Sequence, residues 1–233
     1  MNGTSSYSEK YVEKLAKEFN APSDPGCTVD NNIKADVEKR LGVNLPGDYY
    51  DYINSFGYGS FSYSVKVANF FRKNGVEEYF QEIDDNREIM DDQRSMRNAF
   101  GLDDSVIYVE NGEIVSKDKN NTEDGSLSGY DELENVSVDA FEDEIKNKII
   151  RLGIGFPYDY FDNGRGLLYF GRTDDCNFFW NIDSDKCTVV AYMDVSFCEF
   201  DMTFSEFLYH FLHGKIAAFA NPGNIYVYKE YED

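Results

Sequence analysis

The chain has 233 residues, with 44 acidic and 22 basic side chains, and its formal net charge is −22. A field of this sign repels phosphate backbones and anionic lipids, which argues against binding to nucleic acid or to a membrane surface. With 42% hydrophobic and 16% aromatic residues, the chain is long and apolar enough to bury a core, so general disorder is excluded.

The amino-terminal residues and the cysteines bear on location. The first residues show neither a basic start nor an apolar segment, and no run approaches about 18 apolar residues. We therefore expect no signal peptide, no transmembrane helix and a cytoplasmic location. The four cysteines are too few for a disulfide scaffold and contain no C-x-x-C pair, so we expect reduced thiols. They are Cys27, Cys176, Cys187 and Cys198.

Three amphipathic helices are predicted at the start of the chain. The first begins at the capping box Ser6-x-x-Glu9 and ends before Pro22. The second runs from about residue 31 to Gly42, a residue type suited to a helix end. The third spans residues 48–56, where aromatic and aliphatic residues recur at helical spacing.

The middle of the chain carries most of the charge. Residues 77–144 hold 22 of the 44 acidic residues but only five of the 22 basic ones. Residues 69–100 are predicted to be helical, polar and exposed. Asn111-Gly112 predicts a hairpin turn between strands at residues 106–109 and 113–115.

The connecting segments are assigned from local composition. Residues 56–61 predict a turn into an extended stretch at residues 62–67, and residues 118–129 predict a polar loop. A helix is predicted from about residue 139, with its apolar residues at helical spacing and Gly153 at its end.

The last third of the sequence is predicted to form strands and then a helix. Short aromatic or β-branched runs occupy residues 166–171, 177–182 and 188–193, with a hairpin connection at 183–186. The capping box Thr203-x-x-Glu206 opens a closing helix that Gly214 ends, and a tail strand follows within residues 225–231. The succession predicts an α+β fold with a largely antiparallel sheet, helices packed on one face, an N-terminal helical pair and a C-terminal closing helix.

Catalytic signatures are weak in this sequence. His210, His213 and Glu206 are close enough on one helix to be considered as metal ligands, but H-E-x-x-H is absent. Residues 118–129 resemble a calcium loop but lack the required glycine and final glutamate. Neither a nucleophile elbow nor a Walker loop occurs. We therefore expect no enzymatic activity, no metal and no cofactor.

Several stretches, taken in order, resemble the SUKH superfamily, which includes yeast cell-wall-synthesis regulators and bacterial toxin immunity proteins. The opening stretch is similar to the family's helix, Leu-Gly-x-x-Leu-Pro turn and second helix; a glycine-rich turn, successive strands and a closing helix follow. These stretches are residues 33–53, 56–61, 166–171, 177–180, 188–194 and 204–208. The resemblance implies a single domain over residues 1–233, with a poorly matching acidic insertion at about 77–150.

The resemblance also implies a protein that works by binding and performs no catalysis. We expect an immunity protein that binds a basic toxin, of the nuclease type, because carboxylates can take the place of phosphate. The alternative is a scaffold or regulator like the yeast members. The candidate acidic contacts are Asp84, Asp85, Asp91, Asp92, Asp174 and Asp175, and the candidate aromatic anchors are Tyr158, Tyr160 and Trp180. For Trp180, core packing beside Phe179 is the competing interpretation.

Overall fold

The computed structural model describes residues 5–62, 64–99, 105–118, 138, 141–183, 186–193, 196–216 and 228–230. The helices in these ranges are α1 (Ser5–Glu18), α2 (Asn31–Leu41), α3 (Gly47–Phe56), α4 (Gly75–Ala99), α5 (Asp143–Lys146) and α6 (Phe204–Leu212). The strands are β1 (Gly59–Phe61), β2 (Val65–Val67), β3 (Ser105–Glu110), β4 (Glu113–Asp118), β5 (Ile149–Ile154), β6 (Leu167–Arg172), β7 (Cys176–Asn181), β8 (Thr188–Met193), β9 (Ser196–Phe200) and β10 (Tyr228–Glu230).

The strands of the described ranges form one sheet in the order β10-β1-β2-β6-β7-β8-β9-β5-β3-β4. Every neighbouring pair is antiparallel. Together with the helices this is an α+β fold, as the sequence predicts. The acidic segment 77–150 supplies α4 and the hairpin β3–β4, which extends the same sheet at one end.

Local signals set several element boundaries. The Asp30 carboxylate accepts hydrogen bonds from the backbone N–H groups of Asn32 and Ile33, so it caps α2 at its start. Gly42 ends α2 with φ +72°, a conformation that glycine adopts without a Cβ penalty. The Thr203 side chain accepts a hydrogen bond from the Glu206 N–H and caps α6. These contacts confirm the predicted limits of α2 and the predicted start of α6, which ends at Leu212, two residues before Gly214.

An aromatic core fills one face of the sheet, where α1, α3 and α6 contact one another. The ring centroids of Tyr49 and Trp180 are 5.2 Å apart in an edge-on arrangement. Phe170 and Phe178 of the sheet contact Phe204 and Phe207 of α6 at 5.3 and 5.2 Å. Burial of each such side chain stabilises the fold by about 1.5–3 kcal/mol.

The opposite face of the sheet is covered by α4. Ile83 and Met90 are buried beside Leu167 and Tyr169 of β6, and the Tyr79 hydroxyl donates to the Tyr169 carbonyl oxygen at 3.1 Å. The helices therefore lie on both faces, whereas the sequence pattern placed them on one. The prediction of an exposed polar helix holds only for the outer side of α4.

Two predicted connections differ in the structure. Residues 62–67 do not form one extended stretch, because β1 and β2 pair as a hairpin in which Ser60 faces Lys66. The predicted helix from residue 139 is reduced to α5, and Ile149 and Leu152 belong to β5. The register shifts between Ile149 and Arg151, so a bulge puts Ile149 and Leu152 on one face and imitates helical spacing.

The remaining strand predictions agree with the structure where it describes them. The hairpin at Asn111-Gly112 is present, with φ +52° and +79° at these two residues. β6, β7 and β8 occupy the three predicted stretches of the last third, and β10 lies within the predicted tail strand. The predicted loop at 118–129 lies outside the described residues, apart from the last residue of β4.

Candidate protein-binding surface

The outer side of α4 is a row of exposed carboxylates. Asp84, Asp85, Glu88, Asp91 and Asp92 are all exposed, and their spacing of three and four residues places them on one side of the helix. We call these five residues the acidic face of α4. The Asp pairs are predicted contacts, whereas Glu88 is not among them, because it stands alone in the sequence and not in a pair. Helical spacing alone could have found it.

Two basic residues of the same helix, Arg87 and Arg94, bond to backbone carbonyl groups. Arg94 donates to the carbonyl oxygens of Phe156 and Tyr158 at 3.2 and 2.8 Å, and Arg87 donates to the Phe161 carbonyl. These bonds attach α4 to the loop after β5 and occupy the two guanidinium groups. Arg87 approaches Asp84 only at 3.9 Å, with both side chains partly exposed, so this ion pair contributes little. Among the described side chains, this is the one ion pair within 4.0 Å that involves a carboxylate of the acidic face.

An exposed apolar side chain borders the acidic face. Ile89 is 51% exposed and lies one helical turn from Asp85 and from Asp92. Aliphatic side chains next to charges are typical of protein-binding surfaces, where the apolar group supplies contact area and the charges supply orientation.

Tyr160 is the one predicted aromatic anchor that lies beside the acidic face. It is half-buried, it stacks on Phe156 with centroids 5.3 Å apart, and the Arg94 guanidinium lies 4.8 Å from its ring centre. Burial raises the pKa of Tyr160 to about 12, with a further contribution from the Asp91 carboxylate against the opposing effect of Arg94. Tyr160 thus links the acidic face to the loop after β5.

The structure argues against Tyr158 and Trp180 as anchors. Trp180 is 1% exposed and packs among Tyr49, Phe170 and Phe204, so the core interpretation of this residue is correct. Tyr158 is 6% exposed, and its hydroxyl donates to Glu199 at 3.2 Å. A partner cannot reach either ring while the sheet stays intact.

Asp174 and Asp175 are exposed but lie on a different element from the acidic face. They form the turn between β6 and β7, where the Thr173 hydroxyl oxygen accepts from the N–H groups of Asp175 and Cys176 at 3.2 and 2.9 Å. Among the described residues, no hydrogen bond or ion pair joins this turn to α4. The structure therefore separates the predicted acidic contacts into two groups.

A buried carboxylate, Glu199, organises the sheet beneath the loop after β5. It is 2% exposed and accepts hydrogen bonds from Arg151, Tyr158, Asn181 and Thr188. Its oxygens are occupied by protein donors and closed to solvent. This arrangement stabilises the sheet and does not present a reactive acid.

The histidines and cysteines do not assemble a reactive centre in the described ranges. His210 is 2% exposed, His213 bonds Glu18 and the Tyr209 carbonyl at 2.8 and 2.7 Å, and Glu206 pairs with Lys148 at 3.1 Å. Within these ranges no group of three His, Cys, Asp or Glu residues could hold a metal ion.

Two of the cysteine thiols, those of Cys187 and Cys198, have raised pKa values. The four cysteines form no disulfide with one another. Burial raises the pKa of Cys198, and it raises that of Cys187 to about 11. A thiol with a raised pKa is a poor nucleophile at neutral pH.

Comparison with protein-family models, curated proteins and solved structures found no match to this chain. For the part of the chain that the structure describes, no helix combines the length and apolar character needed to cross a membrane.

Proposed function

We propose that this protein is a non-catalytic immunity protein that binds and neutralises a basic toxin, of the nuclease type, in the cytoplasm. The observation that carries the proposal is the acidic face of α4, where five carboxylates face outward while Arg87 and Arg94 bind backbone carbonyls on the inner side. The order of sequence motifs, which resembles that of the SUKH superfamily, is consistent with the same proposal.

The geometry favours recognition of a cationic protein. A rigid helix that is packed on a sheet presents its charges at fixed spacing, so little side-chain and backbone freedom is lost when a partner binds. Carboxylates aligned over about two turns of helix match the lysines and arginines with which a nuclease grips phosphates. Ile89 supplies an apolar contact beside them, and the overall charge accelerates encounter with a basic partner.

The test uses the protein encoded by the open reading frame adjacent to this gene as the partner. Its affinity for the wild-type chain is measured by calorimetry, and its toxicity is measured with and without co-expression of the chain. The informative variant is Asp85→Lys with Asp92→Lys, which reverses two charges of the acidic face. The matched control is Glu13→Lys with Asp36→Lys, which makes the same change of net charge at exposed positions of α1 and α2.

The proposal predicts that the wild-type chain binds and protects, and that the α4 variant binds at least about tenfold more weakly. Two lost attractions of about 0.5–1 kcal/mol each, and the repulsion that replaces them, give this magnitude. The control variant should bind like the wild type. An equal loss of affinity in both variants would mean that the net charge of the protein, and not its position on α4, determines binding. Absence of binding, with recovery of several unrelated cellular proteins, would favour the scaffold function.

A further inference from the structure

A polar cleft of about 510 Å³ lies at the other end of α4, away from Tyr160. Its walls come from the hairpin β1–β2, the segment before α4, the first two turns of α4 and the end of β6. Its charged lining residues are Lys66, Arg72, Arg172 and Glu82. Three cations and one carboxylate therefore line a concave site on a protein in which acidic residues outnumber basic ones two to one.

Two of these cations are placed directly opposite each other. Lys66 of β2 pairs in register with Arg172 of β6. Like charges at directly opposed positions of an antiparallel pair destabilise a sheet, because their side chains project side by side. Neither residue has an ion-pair partner within 4.0 Å among the described residues. The fold thus keeps an unfavourable pair that a bound anion would relieve.

The third cation is held in place. The Arg72 guanidinium pairs with Glu78 and lies 4.3 Å from the centre of the Tyr58 ring. Its Nε atom is buried and has no hydrogen-bond partner among the described residues. Glu82 is the one carboxylate among the charged lining residues; burial raises the pKa of its carboxyl, and Arg172 and Arg72 oppose this shift. The cleft therefore contains positioned donors and positive charge that the protein itself does not fully use.

We propose that this cleft binds a small molecule through a phosphate or carboxylate group, with Lys66 and Arg172 contacting the anionic oxygens and Arg72 orienting them. A guanidinium group presents paired donors that match either oxyanion. The volume is within the range of small-molecule sites and leaves room for a polar body beyond the oxyanion.

The experiment titrates the full chain with sodium pyrophosphate and, separately, with sodium citrate, using sodium chloride at matched ionic strength as the baseline. Binding is followed by calorimetry and by the thermal unfolding midpoint. The variant is Lys66→Gln with Arg172→Gln. The matched control is Lys17→Gln with Lys39→Gln, which removes two exposed lysines elsewhere. A preference for pyrophosphate or for citrate identifies the oxyanion.

We expect at least one of the two anions to bind and to raise the unfolding midpoint, with affinity at least about tenfold lower in the cleft variant and unchanged in the control. Without anion, the cleft variant should unfold at the same temperature as the wild type or above it, because the opposed cations are gone. The proposal is overturned if neither anion acts beyond sodium chloride, or if both variants lose binding equally. It is also overturned if the cleft variant is destabilised without anion, which would make the two cations structural.

Discussion

The buried histidine of α6 gives a stability prediction that can be worked out from the structure. His210 is 2% exposed, and burial lowers its pKa to about 4 from the usual 6.5. Glu144 opposes this shift from 3.8 Å, but its carboxylate is shared with Lys215 at 2.7 Å. Lys215, His213 and Lys14 add to the lowering of the pKa. The ring is therefore neutral in the folded protein at pH 7 and at pH 5.

The sign of the effect follows from proton binding. Between pH 6.5 and pH 4 the unfolded chain binds a proton at His210 and the folded chain does not, so stability rises with pH. The stability that depends on a neutral His210 is fully present above the unfolded pKa of 6.5. It is lost as the pH falls toward the folded pKa of about 4. The difference between the unfolded and the folded pKa corresponds to about 3 kcal/mol of unfolding free energy. About 2 kcal/mol of this are lost between pH 7 and pH 5.

The assay is urea unfolding at pH 7 and pH 5 for the wild type, His210→Leu and the control His213→Gln. From pH 7 to pH 5, the free energy of unfolding of His210→Leu should fall by about 2 kcal/mol less than that of the wild type. This difference does not depend on how stable the variant is at pH 7. The control should still lose stability between pH 7 and pH 5, as the wild type does, because it leaves His210 in place in its buried site. Parallel losses in the wild type and His210→Leu, within about 0.5 kcal/mol, would refute the reasoning. So would an NMR titration that places the His210 pKa near 6.5.

Two further variants test the fold. Glu199→Ala removes the acceptor shared by Arg151 and three neighbouring polar groups, so it should lower the free energy of unfolding by about 3–5 kcal/mol, with Glu199→Gln losing less. A loss below about 1 kcal/mol in denaturant titration would contradict this. Gly57→Ala places a Cβ onto the Pro25 carbonyl oxygen at φ +68°, and it should cost about 3 kcal/mol or more. Gly47→Ala has open space around its Cβ and should be close to neutral; equal losses in the two alanine variants would be inconsistent with the geometry.

Elements with a strong local signal could be predicted from the sequence. The hairpin at Asn111-Gly112 needs positive φ at both turn residues, which asparagine and glycine tolerate, and it forms where the dipeptide indicates. The caps of α2 and α6 are also local, because each involves a side chain and an N–H group two or three residues away. The strands of the last third were predicted from short aromatic or β-branched runs, which are also a local signal.

Features that depend on distant pairing could not be predicted. The bulge in β5 gives Ile149 and Leu152 a helix-like spacing, and only pairing with β9 and β3 makes this segment a strand. Lys66 and Arg172 meet through a register between strands more than 100 residues apart in the chain. The burial of Trp180 depends on α3 and α6 meeting over the same part of the sheet. No local pattern specifies these contacts.

The salt dependence of partner binding tests the electrostatic account most directly. The dissociation constant of the complex with the adjacent-gene protein is measured from 50 to 300 mM sodium chloride for the wild type, Asp85→Lys/Asp92→Lys and Glu13→Lys/Asp36→Lys. We predict that wild-type affinity falls at least about tenfold over this range, that the α4 variant shows a clearly flatter dependence, and that the control keeps the wild-type slope. Identical slopes for all three proteins, or wild-type binding that does not change with salt, would contradict a carboxylate surface on α4 as the recognition site.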